Sequence, residues 1–347
     1  MKSSAYVYVG VRLEQQVEWP MAPQDCPRDA AKITFTRAID EARLLEQLGF
    51  DWVSVSEHHY MPGMLTPNAL VLAGAIAQAT STITVALLGP ILPLNNPVRV
   101  AEEVAMLDGL SNGRIICLPL RGTPNEVLSY TINPDESREM TQEGIDLMVR
   151  TWTEPAPFAW YGRHYCYRMV ASWPRTLQDP HPRLYGSGNS AESIAFAASR
   201  RMGIGISYVP IPMLAKIVGL YRDECAKAGW TPAKDDIIYR THIHVSPTQK
   251  EAEETMPILD KSPLDNVGGV RSAKLQSKLA KGHVFNLPKR PALFGGANEV
   301  IEQFAELSRA GIGVVDLGFA WPTLSVEQHQ ESMRCYSEKV MPVVSGF

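Results

Sequence analysis

Short β-branched runs alternate along the chain with longer segments of helical period, the rhythm of repeated βα units around a parallel sheet. Residues 5–11 (AYVYVGV) are predicted as the first strand. After a Pro-rich loop, Ile33, Ile39, Leu44, Leu45 and Leu48 recur at helical spacing, and Gly49 stands where a left-handed C-cap is expected. Residues 52–56 (WVSVS) read as the second strand. A helix through 68–80, a third strand in ITVALLGPIL and a helix through VRVAEEVAMLDGL follow, the last closed by Ser111-Asn112-Gly113, residues that tolerate positive φ. Residues 114–120 form the fourth predicted strand, and 183–186 (RLYG), 203–209 (GIGISYV), 237–245 (IIYRTHIHV) and 313–319 (GVVDLGF) complete a set of eight.

Eight parallel strands with intervening helices predict a (β/α)8 barrel of the TIM type, an α/β fold that takes about 250 residues before insertions. The surplus fits two insertions into one barrel domain spanning 1–347: the Pro- and Trp-rich stretch 152–182, and 261–290, which is basic and reads as a loop or lid. A chain of 347 residues with 45% hydrophobic content and a net charge of −4 buries a core large enough to need neither disulfides nor a structural metal. The five cysteines are odd in number, scattered, and never spaced as a C-x-x-C pair, which points to a reduced, cytoplasmic setting. The first residues hold no apolar run long enough for a signal-peptide core or a membrane span. Basic residues are slightly outnumbered and unclustered, so nucleic acid and anionic membranes are not expected partners.

In such a barrel functional groups collect at the C-terminal ends of the strands, and the second strand runs directly into Glu57-His58-His59. Consecutive residues of an extended segment point in opposite directions, so the two histidines are not expected to chelate one metal, and no third ligand stands nearby. Either the cluster closes the barrel top as a polar plug, or one histidine faces the axis and exchanges protons while the glutamate orients a ring. The fourth strand ends in Leu120-Arg121-Gly122-Thr123, which places a bidentate cation beside a flexible glycine; a salt bridge on the rim is the alternative role for Arg121. The fifth ends in YGSGNSAES, where Gly186, Ser187, Gly188, Asn189 and Ser190 precede a helix N-terminus suited to an anion. G-S-G-N-S-A also matches a dinucleotide fingerprint, but no acidic residue ends the next strand and the motif lies within a continuing βα series.

D-W-V-S-V-S-E-H-H-Y, then I-L-P-L-N-N-P-V-R-V-A-E-E-V-A-M-L-D-G-L-S-N-G-R, then L-R-G, with G-G-A-N-E-V-I-E-Q-F near residue 300, resembles the bacterial luciferase-like flavin monooxygenases. The resemblance implies a barrel that takes reduced FMN from a separate flavin reductase and uses oxygen to oxygenate a small or medium organic substrate, commonly as a homodimer. It implies that His58 handles protons, that Glu57 helps fix His58, and that Arg121 and Gly122 with Gly186, Gly188, Asn189 and Ser190 form the FMN phosphate site. A non-prolyl cis peptide at Leu88-Gly89 is implied beside the cofactor. Luciferases proper often carry a cysteine where Leu120 stands, so light emission is not expected. Tyr60, Met61, Met64, Leu120 and Trp321 are candidate walls of a substrate pocket, with loop packing as their plain alternative. A deazaflavin-dependent hydride-transfer enzyme and a non-catalytic flavin-binding protein are the rival functions.

Overall fold

Trp52-Val53-Ser54-Val55 alternates two kinds of side chain, and in the computed structural model that alternation separates two interiors. Val53 and Val55 face outward into the shell shared with the helices, whereas Trp52 belongs to a separate cluster with Ala86, Leu88, Ile116, Leu118, Tyr185, Ile238 and Val314 inside the barrel. Period-two alternation delivers both layers at once. The structure describes residues 1–11, 22–60, 63–260, 291–321 and 323–347.

The strands are β1 (Lys2–Tyr6), β2 (Trp52–Val55), β3 (Thr84–Leu87), β4 (Ile115–Cys117), an antiparallel hairpin of β5 (Phe158–Tyr161) and β6 (Cys166–Val170), then β7 (Arg183–Ser187), β8 (Gly203–Ser207), β9 (Ile237–Val245), β10 (Ala292–Gly295) and β11 (Val314–Gly318). Parallel pairing runs β11-β1-β2-β3-β4-β7-β8, and β9 joins β8 to β11, so eight strands close a (β/α)8 barrel. The helices are α1 (Ala30–Gln47), α2 (Ala69–Ala79), α3 (Pro97–Leu110), α4 (Pro124–Ser129), α5 (Ser137–Thr153), α6 (Ala191–Ser199), α7 (Ile211–Lys227), α8 (Gln249–Asp260), α9 (Ala297–Arg309), α10 (Val326–Cys335) and the short α11 (Met341–Val344). Asn68 and Asn96 cap α2 and α3 through their side-chain oxygens, and Gly49 follows α1 at φ 82°, a conformation glycine adopts at little cost.

The eight predicted strands are the barrel strands, with one shift. β1 begins at Lys2 and ends at Tyr6 rather than spanning 5–11, because its partners Trp52–Ser54 and Val314–Leu317 supply a ladder only from residue 2 to residue 6. β10, which adds a parallel strand to the far half of β9, was not expected. Within the stretch 152–182 lies the β5–β6 hairpin, clamped to α5 through the Glu143 carboxylate. That carboxylate accepts from the Trp160 indole at 3.0 Å and from the backbone N–H groups of Arg163, His164 and Tyr165. The stretch 261–290 lies outside the described residues.

The N-terminal face of the barrel is sewn by opposite charges. Lys2 Nζ lies 2.8 Å from Asp235, and Arg183 lies 2.9 Å from Asp235 and 2.6 Å from Asp236. Glu46, at the end of α1, accepts the N–H groups of Ser81, Thr82 and Ile83 ahead of β3. In the barrel interior, Arg240 and the buried Asp316 pair at 2.6 Å, and Ser4 and Ser54 donate to the same carboxylate, so that charge layer is internally satisfied. No described helix is long and apolar enough to cross a membrane.

Candidate active site

Beyond the ends of β3 and β4 the two chains stay together. The Leu88-Gly89 peptide is cis, as the resemblance implied, and a Cβ on Gly89 would sit 1.7 Å from the Leu118 carbonyl oxygen, so only glycine fits this approach. Leu120 N–H then donates to Pro90 O and Leu92 N–H to Leu120 O, each near 3 Å. This pairing brings Ile91 N–H onto Glu57 and delivers Arg121 to the rim. Gly122 turns at φ 92° with Ile91 close to where a side chain would be, which lets the chain enter α4 immediately.

A cleft of about 210 Å³ opens at this end of the barrel, lined among others by Glu57, His58, Leu120, Arg121, Gly122, Arg138, Gly186, Ser187 and Asn189. His58 faces it, and His59 does not line it. The expectation that Glu57 fixes His58 is corrected. Glu57 Oε1 lies 3.2 Å from His59 Nε2, whereas His58 Nδ1 lies 3.3 Å from Oε1 of Glu126 on α4. The reason is the alternation that separated the two histidines: in an extended segment residue 57 shares its side with 59, not with 58.

Glu126 is fully buried, accepts the Thr123 backbone N–H at 2.8 Å and the Thr123 hydroxyl, and also accepts the His59 N–H at 3.3 Å. Burial alone would raise its pKa, but the His58 contact and the Thr123 hydrogen bonds outweigh it and hold the carboxyl at about 2. It is thus a fixed anion that orients the His58 ring. Glu57, also buried, accepts from Ile91 N–H at 3.1 Å and from the Asn95 amide at 3.2 Å.

Positive charge converges on the same cleft. Arg121 and Arg138 both line the cleft, and burial together with the neighbouring Arg138 charge lowers the Arg121 pKa. Arg138 stands at the start of α5, 3.0 Å from Glu192, and Thr141, Gln142 and Ile145 follow it along the same wall at helical spacing. α6 begins beside them with Ser190 as N-cap, its hydroxyl accepting from Ser193 N–H at 3.3 Å. Two guanidiniums and a helix N-terminus at one cleft suit a phosphate dianion, and the same cleft is lined by His58 and the apolar Ile91, Pro119 and Leu120. A cofactor with a phosphate and a flat ring system therefore fits the donor set.

Several expected residues take other places. Gly188 does not line the cleft; its N–H donates to Gly205 O at 2.8 Å, and a Cβ there would meet Ile206 at 2.8 Å, so it is a packing glycine between β7 and β8. Ser190 acts as the cap of α6, while its neighbours Asn189 and Ser193 reach the wall. Leu88 is buried inside the barrel, so it and Gly89 shape the cleft from behind. Tyr60, at φ 57° and 55% exposed, stacks on Tyr130 outside the lining, and Met64 is likewise not part of it. Trp321 is 2% exposed, donates its indole N–H to Ile243 O at 2.8 Å and packs with Leu259 and Leu324 away from the cleft. Met61 lies outside the described residues. The sequence reading missed Arg138 and Glu126. A helical-face count through 138, 141 and 145 was the available signal for the first; for the second only the T-x-x-E spacing after Arg121, a helix-start signature, was on view.

The profile of the luciferase-like monooxygenases matches residues 16–313. The chain belongs to that family. Among curated proteins, the oxygenase component of a flavin-dependent trigonelline monooxygenase from Acinetobacter baylyi is 21% identical over 338 residues, covering 90% of this chain and 91% of that one. The chain spans about half the length of the first curated relatives it matches, 53% and 46%. Among solved structures, the monooxygenase RslO1 of Streptomyces bottropensis superposes with a TM-score of 0.79 at 23% identity over 99% of both chains. The oxygenating constituent of 3,6-diketocamphane monooxygenase of Pseudomonas putida, in complex with FMN, does so with 0.75 at 19% identity over 99% of this chain and 98% of that one. At these identities the two structures establish the luciferase-like barrel alone.

Proposed function

We propose that this chain is the oxygenase component of a two-component FMN-dependent monooxygenase, which accepts reduced FMN from a separate flavin reductase and oxygenates a small or medium organic substrate. The observation that carries the reading is the cleft itself, which brings the phosphate-suited Arg121, Arg138 and the α6 N-terminus together with His58 and the apolar Ile91, Pro119 and Leu120. Membership of the luciferase-like family and the likeness to a flavin-dependent oxygenase component over nine-tenths of the chain support it.

Bound reduced FMN would supply the electrons that activate oxygen. Arg121 and Arg138 would bind the phosphate, helped by Ser187, Asn189 and Ser193 on the same wall, and Gly122 and Gly186 keep the backbone close to it. His58, tied through Nδ1 to the Glu126 carboxylate, is left with Nε2 for proton exchange in the cleft. Leu120, Ile91 and Pro119 would give the cofactor an apolar surface that limits access of water. Tyr60, Met64 and Trp321, which do not line the cleft, are not assigned to the substrate.

An anaerobic titration of the protein with reduced FMN and with reduced deazaflavin, followed by oxygen and labelled-oxygen analysis of candidate substrates, tests this. Tighter binding of reduced FMN and label in the product support the reading. Preference for the deazaflavin makes the chain a hydride-transfer enzyme, and binding without any oxygenation makes it a flavin carrier; either result overturns the proposal.

A further inference from the structure

The second histidine turns away from the cleft, yet its hydrogen bonds connect the outside of the protein to the cleft wall. Tyr130, which follows α4 and is 40% exposed, brings its hydroxyl to 2.9 Å from His59 Nδ1. The two rings meet edge-on at 4.9 Å. The other ring nitrogen, Nε2, lies 3.2 Å from Glu57 Oε1, and Glu57 lines the cleft beside His58. His59 itself is 7% exposed, so its ring exchanges hydrogen bonds with these two groups rather than with bulk water.

We propose that Tyr130, His59 and Glu57 form a proton relay between solvent and the cleft, separate from the His58–Glu126 pair. The proposal rests on the oxygenase reading for its use, since activation of oxygen by a reduced cofactor requires protons to move to and from the cleft.

One assignment of hydrogens satisfies every contact. The Tyr130 O–H donates to His59 Nδ1, the His59 Nε2–H donates to the Glu57 carboxylate, and Ile91 N–H and the Asn95 amide donate to the same carboxylate. Inward transfer breaks the Tyr130 O–H bond and forms His59 Nδ1–H, then breaks Nε2–H and forms a Glu57 Oε1–H bond. The phenol oxygen regains its proton from water, and the Glu57 carboxyl gives its own to the acceptor in the cleft. One proton is delivered and no electron moves. The ring is left with its proton on Nδ1, and only a proton carried outward restores the starting tautomer, so the device moves one proton in and one proton out in alternation. The charged and titratable groups facing His59 are Glu57, Glu126 at its backbone N–H, Tyr130, and Tyr60, whose ring lies 6.0 Å away and stacks on Tyr130. Burial and the neighbouring Tyr60 push the Tyr130 hydroxyl up to about 12, which keeps it a proton-bearing donor at neutral pH.

Two measurements test the relay. Nitrogen-15 NMR of the histidines in the cofactor-free protein reads the tautomer directly, and its outcome does not depend on turnover. His59 protonated on Nε2 with Nδ1 as acceptor, and loss of the Nδ1 hydrogen-bond shift in Tyr130→Phe, is the expected result; a proton on Nδ1 in the wild type overturns the relay. In the second, oxygenation by the wild type is expected to be independent of buffer concentration at fixed pH. Tyr130→Phe is expected to slow it roughly 10-fold or more and to make it rise with the concentration of a small buffer acid that takes over the proton delivery. His59→Gln is expected to behave in the same way. Slowing that is indifferent to buffer, with an unchanged solvent isotope effect, would show a packing role and overturn the proposal. A wild type that binds reduced FMN but oxygenates nothing defeats the functional reading instead, while leaving the tautomer result to stand or fall alone.

Discussion

The two ends of the barrel use the same residue types to opposite effect. At the N-terminal face Arg183 meets Asp235 and Asp236, Lys2 meets Asp235, and Glu46 meets three backbone N–H groups, so these charges are matched by their complements. At the C-terminal face Arg121 and Arg138 line one cleft, where burial and the neighbouring Arg138 charge lower the Arg121 pKa, while Arg138 also lies 3.0 Å from Glu192. Asp235 is pulled well below the ordinary carboxylate range by the hydrogen bond from Arg183, while Arg121 is pulled below the ordinary arginine value by burial and a like charge. One face pairs acids and bases closely within the chain; the other brings two guanidiniums, one of them also paired with Glu192, to the same cleft. This division is the one expected of a (β/α)8 barrel, in which one face serves stability and the other chemistry.

The largest effect should come from the histidine that lines the cleft. His58→Ala should slow oxygenation by about 100-fold or more, with reduced-flavin affinity near normal, because it removes a proton-handling group and not a phosphate contact; single-turnover rates beside a binding titration would separate the two. Next, Arg121→Ala removes a charge-assisted contact worth about 1.5–3 kcal/mol, so flavin should bind roughly 10- to 150-fold more weakly. Thermal stability should hold or rise slightly, since relief of like-charge repulsion offsets lost packing. Unchanged affinity in a titration would sink the phosphate assignment.

Arg183→Ala at the other face should do the reverse. Loss of its contacts leaves Asp235 and Asp236 without their guanidinium and should cost on the order of 1–3 kcal/mol in denaturant unfolding, with flavin affinity unmoved. A shift in affinity comparable to that of Arg121→Ala would erase the distinction between the two faces. The smallest effect concerns Glu46. Burial opposes its ionisation, but the N–H groups of Thr82, Ile83 and Ser81 prevail and hold it at about 2 against an ordinary 4.5. A carboxylate depressed in the folded state stabilises above its unfolded value and loses that contribution as pH falls through the folded one. Glu46→Gln should therefore cost roughly 1 kcal/mol at pH 7, after allowance for solvent screening, and the gap to the wild type should close between pH 4.5 and about 2.

Much of this contrast was legible before the structure. The βα rhythm placed all eight barrel strands, and strand ends placed Glu57, His58, Arg121 and the α6 N-terminus on one face. What escaped was pairing. Glu57 is the sequence neighbour of His58 yet holds His59, and the carboxylate that holds His58 comes from Glu126, 68 residues further on. The alternation rule that kept the two histidines apart also assigns 57 and 59 to one side, so half of that correction was already within reach. Trp321 was a different kind of miss: an aromatic residue just past a strand end reads as a pocket wall, and only its hydrogen bond to Ile243 O shows that it closes the packing beside β9.

The sequence by itself determined the elements and the end of the barrel where the chemistry gathers, because hydrophobic period, capping side chains and strand-end position are local properties of the chain. Tertiary structure alone decided that the Glu126 carboxylate orients His58, that Arg138 joins Arg121, and that Tyr130 reaches His59. Those contacts link β2, α4 and α5, whose relative placement is set by closure of the barrel and by the tight approach of Gly89 to Leu118, and no local pattern in the chain encodes them.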